Sequence, residues 1–237
     1  MLQGDSVTRD VVAELIRGAV DDVVRSQLAR RAQEAPISSK IAAMLETRLH
    51  GMNINGYRVT AVAQDFRDRG AKSDESKSGA DLYIGIRVEP GRGLPTISKG
   101  MLIQAKKRVG TSPPASSASA ARKSYGKRQM DLVGQCEKML ASTDKGAFVW
   151  VYGSVGTHVV PASEVVAHPG IPPDYLAGRN VSEQFRDVLD CFLGDEDLVG
   201  AGIFDDESAL GDFLAEIAVR SGVTMRLASL SGDEVPR

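Results

Sequence analysis

Residues 80–89 alternate between apolar side chains and polar or small ones, and this pattern constrains the fold more than any other part of the chain. One face of an extended strand would carry only aliphatic side chains, namely Leu82, Ile84, Ile86 and Val88. The opposite face would begin with Asp81. Such a strand needs neighbouring strands and a covering layer, so we expect a sheet with helices packed on it.

The rest of the chain supplies both kinds of element. Apolar periodicity predicts a long helix over residues 7–33, which Pro36 would break, and a second helix from Ser38 or Ser39 to Gly51. Further segments are predicted as strands at 57–66, 100–107, 147–152, 157–160 and 224–228, and as helices at 124–140, 182–193 and 207–220. The order helix, three strands, helix, strand predicts an α/β fold whose mixed sheet is flanked by helices. The three consecutive strands are expected to form an antiparallel meander.

The length of 237 residues fits one domain. We divide it into an N-terminal helix (1–36), a core (37–165) and an acidic, helical C-terminal extension (166–237). No apolar run is long enough to span a membrane, and the start of the sequence lacks a signal peptide, so we expect a cytoplasmic protein with no membrane partner. Cys136 and Cys191 are predicted to be buried thiols, since no Cys/His cluster suggests zinc.

Charge is distributed unevenly although the formal net charge is only −2. Residues 90–130 contain no acid but the basic side chains Arg92, Lys99, Lys106, Lys107, Arg108, Arg122, Lys123, Lys127 and Arg128. Residues 182–216 are rich in acids and contain Arg186 as their one base. The basic stretch is a candidate phosphate-binding surface, and the acidic segment is expected to lie against it. A solvated face is the alternative for each.

Three polar side chains are predicted to converge on one face of the sheet. Gln104 and Lys106 are two residues apart on a strand and therefore point the same way. If strands 80–89 and 100–107 are neighbours, Asp81 lies beside them. A carboxylate, an amide oxygen and an ammonium group in one place suit phosphodiester hydrolysis, in which a divalent cation binds oxygen ligands and a lysine assists the attacking water.

The segments Gly79-Ala80-Asp81 and Gln104-Ala105-Lys106, at strand positions and after a helix bearing Glu46, resemble the signature of the PD-(D/E)XK nuclease superfamily. The resemblance covers residues 39–152, about half of the chain. It implies a restriction-endonuclease-like core with the order α-β-β-β-α-β. The departure is Gln104, where the family usually has Glu or Asp. A QxK variant is familiar in Mrr-like restriction endonucleases, in antiphage-defence nucleases and in end-cleaving subunits of transposases.

The resemblance implies an endonuclease that acts on DNA with Mg²⁺ or Mn²⁺, in prokaryotic defence or restriction. Asp81, Gln104, Lys106 and Glu46 would be catalytic, and Asp81, Gln104 and the Ala105 carbonyl would bind the metal. The expected nucleic-acid contacts are Lys107, Lys123, Lys127, Arg128 and Gln135. A homodimer, or a partner protein of a defence complex, is expected because the long N-terminal helix has a wide apolar stripe.

Three alternatives remain open from the sequence. The chain could be a non-catalytic nucleic-acid-binding module on a nuclease fold, with its acid lost to Gln104. It could be an assembly subunit, or a nuclease that processes transposon ends. The sequence does not distinguish DNA from RNA as the partner.

Overall fold

A computed structural model describes residues 1–2, 4–65, 78–91, 93–108 and 118–230, with only the backbone described for 118–128. Within these residues there are six α-helices and eight strands. The helices are α1 (Ser6–Ala29), α2 (Glu34–Leu49), α3 (Ala118–Leu140), α4 (Ala162–Ala167), α5 (Val181–Leu189) and α6 (Glu207–Glu216). The strands are β1 (Asn53–Ile54), β2 (Tyr57–Asp65), β3 (Leu82–Glu89), β4 (Ile97–Lys107), β5 (Ala147–Gly153), β6 (Gly156–Pro161), β7 (Arg179–Asn180) and β8 (Ser221–Ser229).

These strands form one mixed sheet in the order β1-β2-β8-β3-β4-β5-β6-β7. Helices α1, α2 and α5 cover one face of the sheet, and α3, α4 and α6 cover the other. Strand β4 is antiparallel to β3 and parallel to β5, with α3 carrying the chain between β4 and β5. The predicted α/β class and the pairing of the strands that carry Asp81 and Gln104 are therefore confirmed.

The alternation that predicted β3 matches its packing. Leu82, Ile84, Ile86 and Val88 are completely buried on the face of the sheet where α2 packs on β3. Tyr83 points to the other face, where its hydroxyl donates a hydrogen bond to the Leu198 carbonyl at 2.8 Å. Both faces of this strand are thus covered, which is why the polar Asp81 at its start lies in a partly buried setting.

The predicted antiparallel meander is wrong, because β8 lies between β2 and β3. β8 pairs antiparallel with β2 and parallel with β3. The physical reason is the length of the connection: residues 66–81 link β2 to β3, whereas adjacent hairpin strands are joined by about two to five residues. Such a long link does not hold the two strands together, so a third strand can pair between them.

Residues 166–237 were predicted to be a helical extension, and this is wrong for β8, which belongs to the sheet. The larger apolar cluster, which we call the main apolar cluster, lies between the sheet and α1, α2 and α5. β8 contributes Val223, Met225 and Leu227 to it, each at most 1% exposed. The acidic segment before it does contact the basic stretch at one point, where Lys99 and Glu196 form a 3.1 Å ion pair. The C-terminal part of the chain is therefore built into the sheet.

The N-terminal helix is shorter than predicted, and most of its apolar stripe is covered by the chain's own core. α1 ends at Ala29, and Arg31 then adopts a left-handed backbone with φ 58°. α2 begins at Glu34, so Pro36 lies in its first turn, where a missing N–H is tolerated. Ile16, Val20 and Val24 of the apolar stripe are fully buried, whereas Val7 and Val11 near its start are exposed. Among the described helices none has the length and apolar character needed to cross a membrane.

Candidate active site

Asp81 lies one residue before β3 and bonds to the neighbouring strand. Its backbone N–H donates to the Ile103 carbonyl at 2.9 Å. Its Oδ2 accepts the backbone N–H of Ala105 at 2.8 Å and the side-chain amide of Gln104. β3 begins at Leu82, which pairs with Ile103, so Ala105 lies beyond the paired part of the two strands. The backbone N–H of Ala105 therefore bonds to the Asp81 carboxylate and not to a backbone carbonyl of β3. The predicted convergence of Asp81 and Gln104 is observed.

The Gln104 amide nitrogen contacts two oxygens at once. It donates to Asp81 Oδ2 and, at 3.1 Å, to the Ala105 carbonyl. Gln104 is only 3% exposed, so these contacts lie in a largely dry place. A hard divalent cation prefers oxygen ligands of this type. The two oxygens that hold the amide nitrogen therefore fit a cation, provided that the Gln104 amide turns to offer its Oε1 instead.

Lys106 lies two residues beyond Gln104 and therefore on the same face of β4. It is half-buried on the side covered by α3. Burial raises the pKa of the Cys136 thiol on α3 to about 12, and the positive charge of Lys106 acts in the opposite direction. The ammonium group thus lies in the space between β4 and α3, on the side where Gln104 and Asp81 meet.

Glu34 is a carboxylate at this site that the sequence did not predict. Its Oε1 accepts the backbone N–H of Lys107 at 3.3 Å, two residues along β4 from the N–H that Asp81 accepts. Two residues of a strand span about 6.6 Å. Burial raises the pKa of Tyr152, and the negative charges of Asp81 and Glu34 add to that shift. Two carboxylates therefore lie along the edge of β4 beyond the end of β3.

A signal for Glu34 was present in the sequence. Proline is tolerated in the first turn of a helix, and an acidic side chain is favourable there. Interpreting Pro36 as the end of a helix placed Glu34 in a loop and hid it.

Glu46 lies elsewhere. Its Oε1 accepts the backbone N–H of Ala63 on β2 at 3.2 Å. Since β8 separates β2 from β3, and about three turns of α2 separate Glu46 from Glu34, the structure does not bring Glu46 to Asp81.

Comparisons with protein-family models, curated proteins and solved structures found no match.

The nucleic-acid contacts predicted from the sequence have mixed placements. Lys107 donates to the Ala32 carbonyl at 3.2 Å and lies close to the site. The side chains of Lys123, Lys127 and Arg128 lie outside the described part of the chain. Gln135 lies on α3 at the point where the helix backbone comes close to Gly79. Its side-chain Oε1 is buried and has no hydrogen-bond partner among the described atoms.

The ligand set for a metal would be poor in charge. Among the described residues, no group of three or more His, Cys, Asp and Glu side chains is placed to hold a metal ion. Asp81 would supply the one negative charge in direct contact, with neutral oxygens from Gln104 and Ala105. Glu34 would add a second charge from the strand edge.

Proposed function

We propose that this protein is a metal-dependent nuclease that hydrolyses phosphodiester bonds of DNA. The observation that carries the proposal is the contact of the Gln104 amide with both Asp81 Oδ2 and the Ala105 carbonyl, with Lys106 on the same face of β4. The motif's resemblance to PD-(D/E)XK nucleases supports the proposal and points to prokaryotic defence or restriction, with Mg²⁺ or Mn²⁺ as the ion.

Each residue has a distinct part in the proposed reaction. The cation would be held by Asp81, Gln104 and the Ala105 carbonyl. When bound, it acts as a Lewis acid that polarises the phosphate. Lys106 would orient the attacking water and offset the negative charge that develops on the phosphate. The partial burial of Asp81 and Lys106 strengthens these electrostatic effects relative to those in water.

The test is cleavage of plasmid DNA with Mg²⁺ or Mn²⁺, with and without a chelator. Asp81→Asn should reduce cleavage to background, since it removes the negative charge in direct contact with the cation. Asp22→Asn is the matched control, because Asp22 is a partly exposed carboxylate on α1 that pairs with Arg25 and Arg48. Undiminished cleavage by Asp81→Asn, or in excess chelator, would refute the proposal.

One observation favours a second candidate, a non-catalytic nucleic-acid-binding module. The Gln104 amide and the Ala105 N–H both donate to Asp81 Oδ2, so this oxygen has hydrogen-bond partners within the chain itself. Fluorescence anisotropy with labelled DNA separates the two candidates. Binding that is unaffected by Asp81→Asn, in a protein that cleaves nothing with either metal, would support the module.

A further inference from the structure

The first turn of α2 carries Glu34, and the position of this turn does not depend on a helix cap. Within the described residues, the N-cap residue Gln33 makes no side-chain capping hydrogen bond. Pro36, also in the first turn, has no N–H to donate. A capping bond normally stabilises the start of a helix. Contacts with the sheet therefore have to hold Glu34 in place.

Tyr152 on β5 makes such a contact through its hydroxyl. This hydroxyl oxygen lies 3.1 Å from Ser38 Oγ in the interior, and Ser38 Oγ lies 3.4 Å from the Glu34 carbonyl oxygen. Because a carbonyl can only accept, both bonds form when Tyr152 donates to Ser38 and Ser38 donates to Glu34. The two hydroxyls thus link β5 to the first turn of α2.

The backbone of Tyr152 holds the end of β4, where the Glu34 side chain makes its contact. Tyr152 pairs with Lys107 in the parallel ladder, and its carbonyl accepts the Arg108 N–H at 2.9 Å. Lys107 is the residue whose backbone N–H donates to Glu34 Oε1 at 3.3 Å. Tyr152 therefore contacts both elements that the Glu34 side chain connects, the helix through its hydroxyl and the strand through its backbone.

The hydroxyl adds direction to a contact that is otherwise apolar. Tyr152 is completely buried, and its ring belongs to the main apolar cluster. Apolar packing is non-directional, whereas a satisfied hydrogen bond inside a protein favours one arrangement of the groups that it joins. The bond to Ser38 therefore limits how far the start of α2 can shift relative to β5 and β4.

We propose that Tyr152, acting through Ser38, is a positioning residue that sets the distance between the Glu34 carboxylate and the end of β4. Its effect on a bound cation rests on the proposed nuclease function. In that function, the correct distance places the second negative charge of the site near the cation held by Asp81. Tyr152 itself would contact neither the cation nor the DNA.

Hydrogen exchange followed by NMR tests the positioning without metal or cleavage. In Tyr152→Phe the Lys107 N–H should exchange about threefold faster than in the parent, as expected when a hydrogen bond to Glu34 is weakened in part. The Ala105 N–H, which donates to Asp81, should keep its rate and is the internal control. A general loss of stability would instead accelerate both amides.

Tyr83→Phe is the matched control variant. It removes the hydroxyl of a tyrosine that is equally buried, but this hydroxyl donates to the Leu198 carbonyl on the other face of the sheet. We expect Tyr83→Phe to lower Tm about as much as Tyr152→Phe does, since each removes one buried hydrogen bond. It should leave the exchange of the Lys107 N–H unchanged.

A double-mutant cycle connects the positioning to the metal. Tyr152→Phe should weaken Mn²⁺ binding severalfold in the parent and have no further effect in the Glu34→Gln background, where the charge that it positions is absent. Isothermal titration calorimetry measures the four affinities. If the parent binds Mn²⁺ but cleaves no DNA, the nuclease proposal fails and the positioning stands. If the parent binds no Mn²⁺, hydrogen exchange alone decides the positioning.

Two results would overturn the inference. One is that Tyr152→Phe leaves the exchange of the Lys107 N–H unchanged, or that Tyr83→Phe accelerates it as much. The other is that Tyr152→Phe weakens Mn²⁺ binding equally with and without Glu34→Gln, which would show that Tyr152 does not act through Glu34.

Discussion

The Gln104 amide lies between two oxygens, and its chemistry sets the charge beside Asp81. Replacing the amide by a carboxylate keeps the size of the side chain and reverses its hydrogen-bonding role. Two carboxylates in contact repel each other unless a proton or a cation lies between them. The stability of such a variant would therefore report directly on metal binding.

For Gln104→Glu we expect a lower Tm than the parent in chelator and a larger rise in Tm on addition of Mn²⁺. The added charge should tighten metal binding by about tenfold, or about 1.4 kcal/mol. Gln104→Leu, which offers neither a donor nor an oxygen, should show little metal-dependent rise. Thermal unfolding at increasing Mn²⁺ concentrations measures both effects. Equal shifts in the parent and both variants would place the metal away from Gln104.

A second residue-scale prediction compares two glutamates on α2. Glu34→Gln removes a charge beside the Lys107 N–H while keeping an oxygen that can accept it. We expect DNA cleavage to fall about tenfold, the lower end of the effect of groups that support metal ligands. Glu46→Gln makes the same chemical change near β2 and should leave cleavage unaltered. The reverse order of effects would return the catalytic role to Glu46.

The residues at the site differ in how far the sequence predicts them. Asp81, Gln104 and Lys106 follow from strand alternation and the pairing of two strands, both of which are local properties. Glu34 does not, because its role depends on where α2 begins and on its approach to the end of β4. Hydrogen bonds between distant elements leave no periodic pattern in a sequence.

At the scale of elements, the approach of α3 to the segment before β3 helps to position Asp81. A Cβ atom on Gly79 would lie 2.2 Å from the Gln135 carbonyl oxygen, and Gly79 has φ +75°. Only glycine fits this conformation and this separation without strain. The contact involves backbone on both sides, so a larger residue would force the helix and the strand apart.

We therefore expect Gly79→Ala to lower the free energy of unfolding by at least about 3 kcal/mol, as other severe steric and backbone changes do. Gly93→Ala is the matched control, because Gly93 also has φ +75° but nothing within 4 Å of its Cβ position. It should cost about 1–2 kcal/mol from the left-handed backbone alone. Urea unfolding measures both variants. Equal losses would show that the close approach to Gln135 adds nothing.

The elements themselves were predictable where periodicity is strong, as in β3, β5 and α3. It was harder to predict which strands pair with each other. The last strand was recognised near residues 224–228, but its place between β2 and β3 depends on pairings with strands more than a hundred residues away. The hydrophobic pattern shows which side of a strand is buried, and it does not identify the strand beside it.

At the scale of the whole molecule, β8 connects the two parts of the sheet. It pairs with β2 along the whole length of both strands and with all of β3. Arg226 also binds Glu89 through two hydrogen bonds, of 2.8 Å and 2.7 Å. Among the described strands, β8 alone lies between the β1–β2 hairpin and the strands from β3 onward. The candidate active site lies at the start of β3, beside this junction.

Deletion of residues 221–237 should therefore prevent cooperative folding, although it removes none of the proposed catalytic residues. It exposes the backbone groups of β2 and β3 and takes Val223, Met225 and Leu227 from the main apolar cluster. Circular dichroism during heating should show no sharp transition, and limited proteolysis should digest the protein rapidly. Deletion of residues 231–237 alone is the control, because it leaves every described strand intact, and it should unfold like the parent. A cooperative transition in the longer deletion would mean that β2 and β3 can pair directly in the antiparallel arrangement that the sequence order suggested.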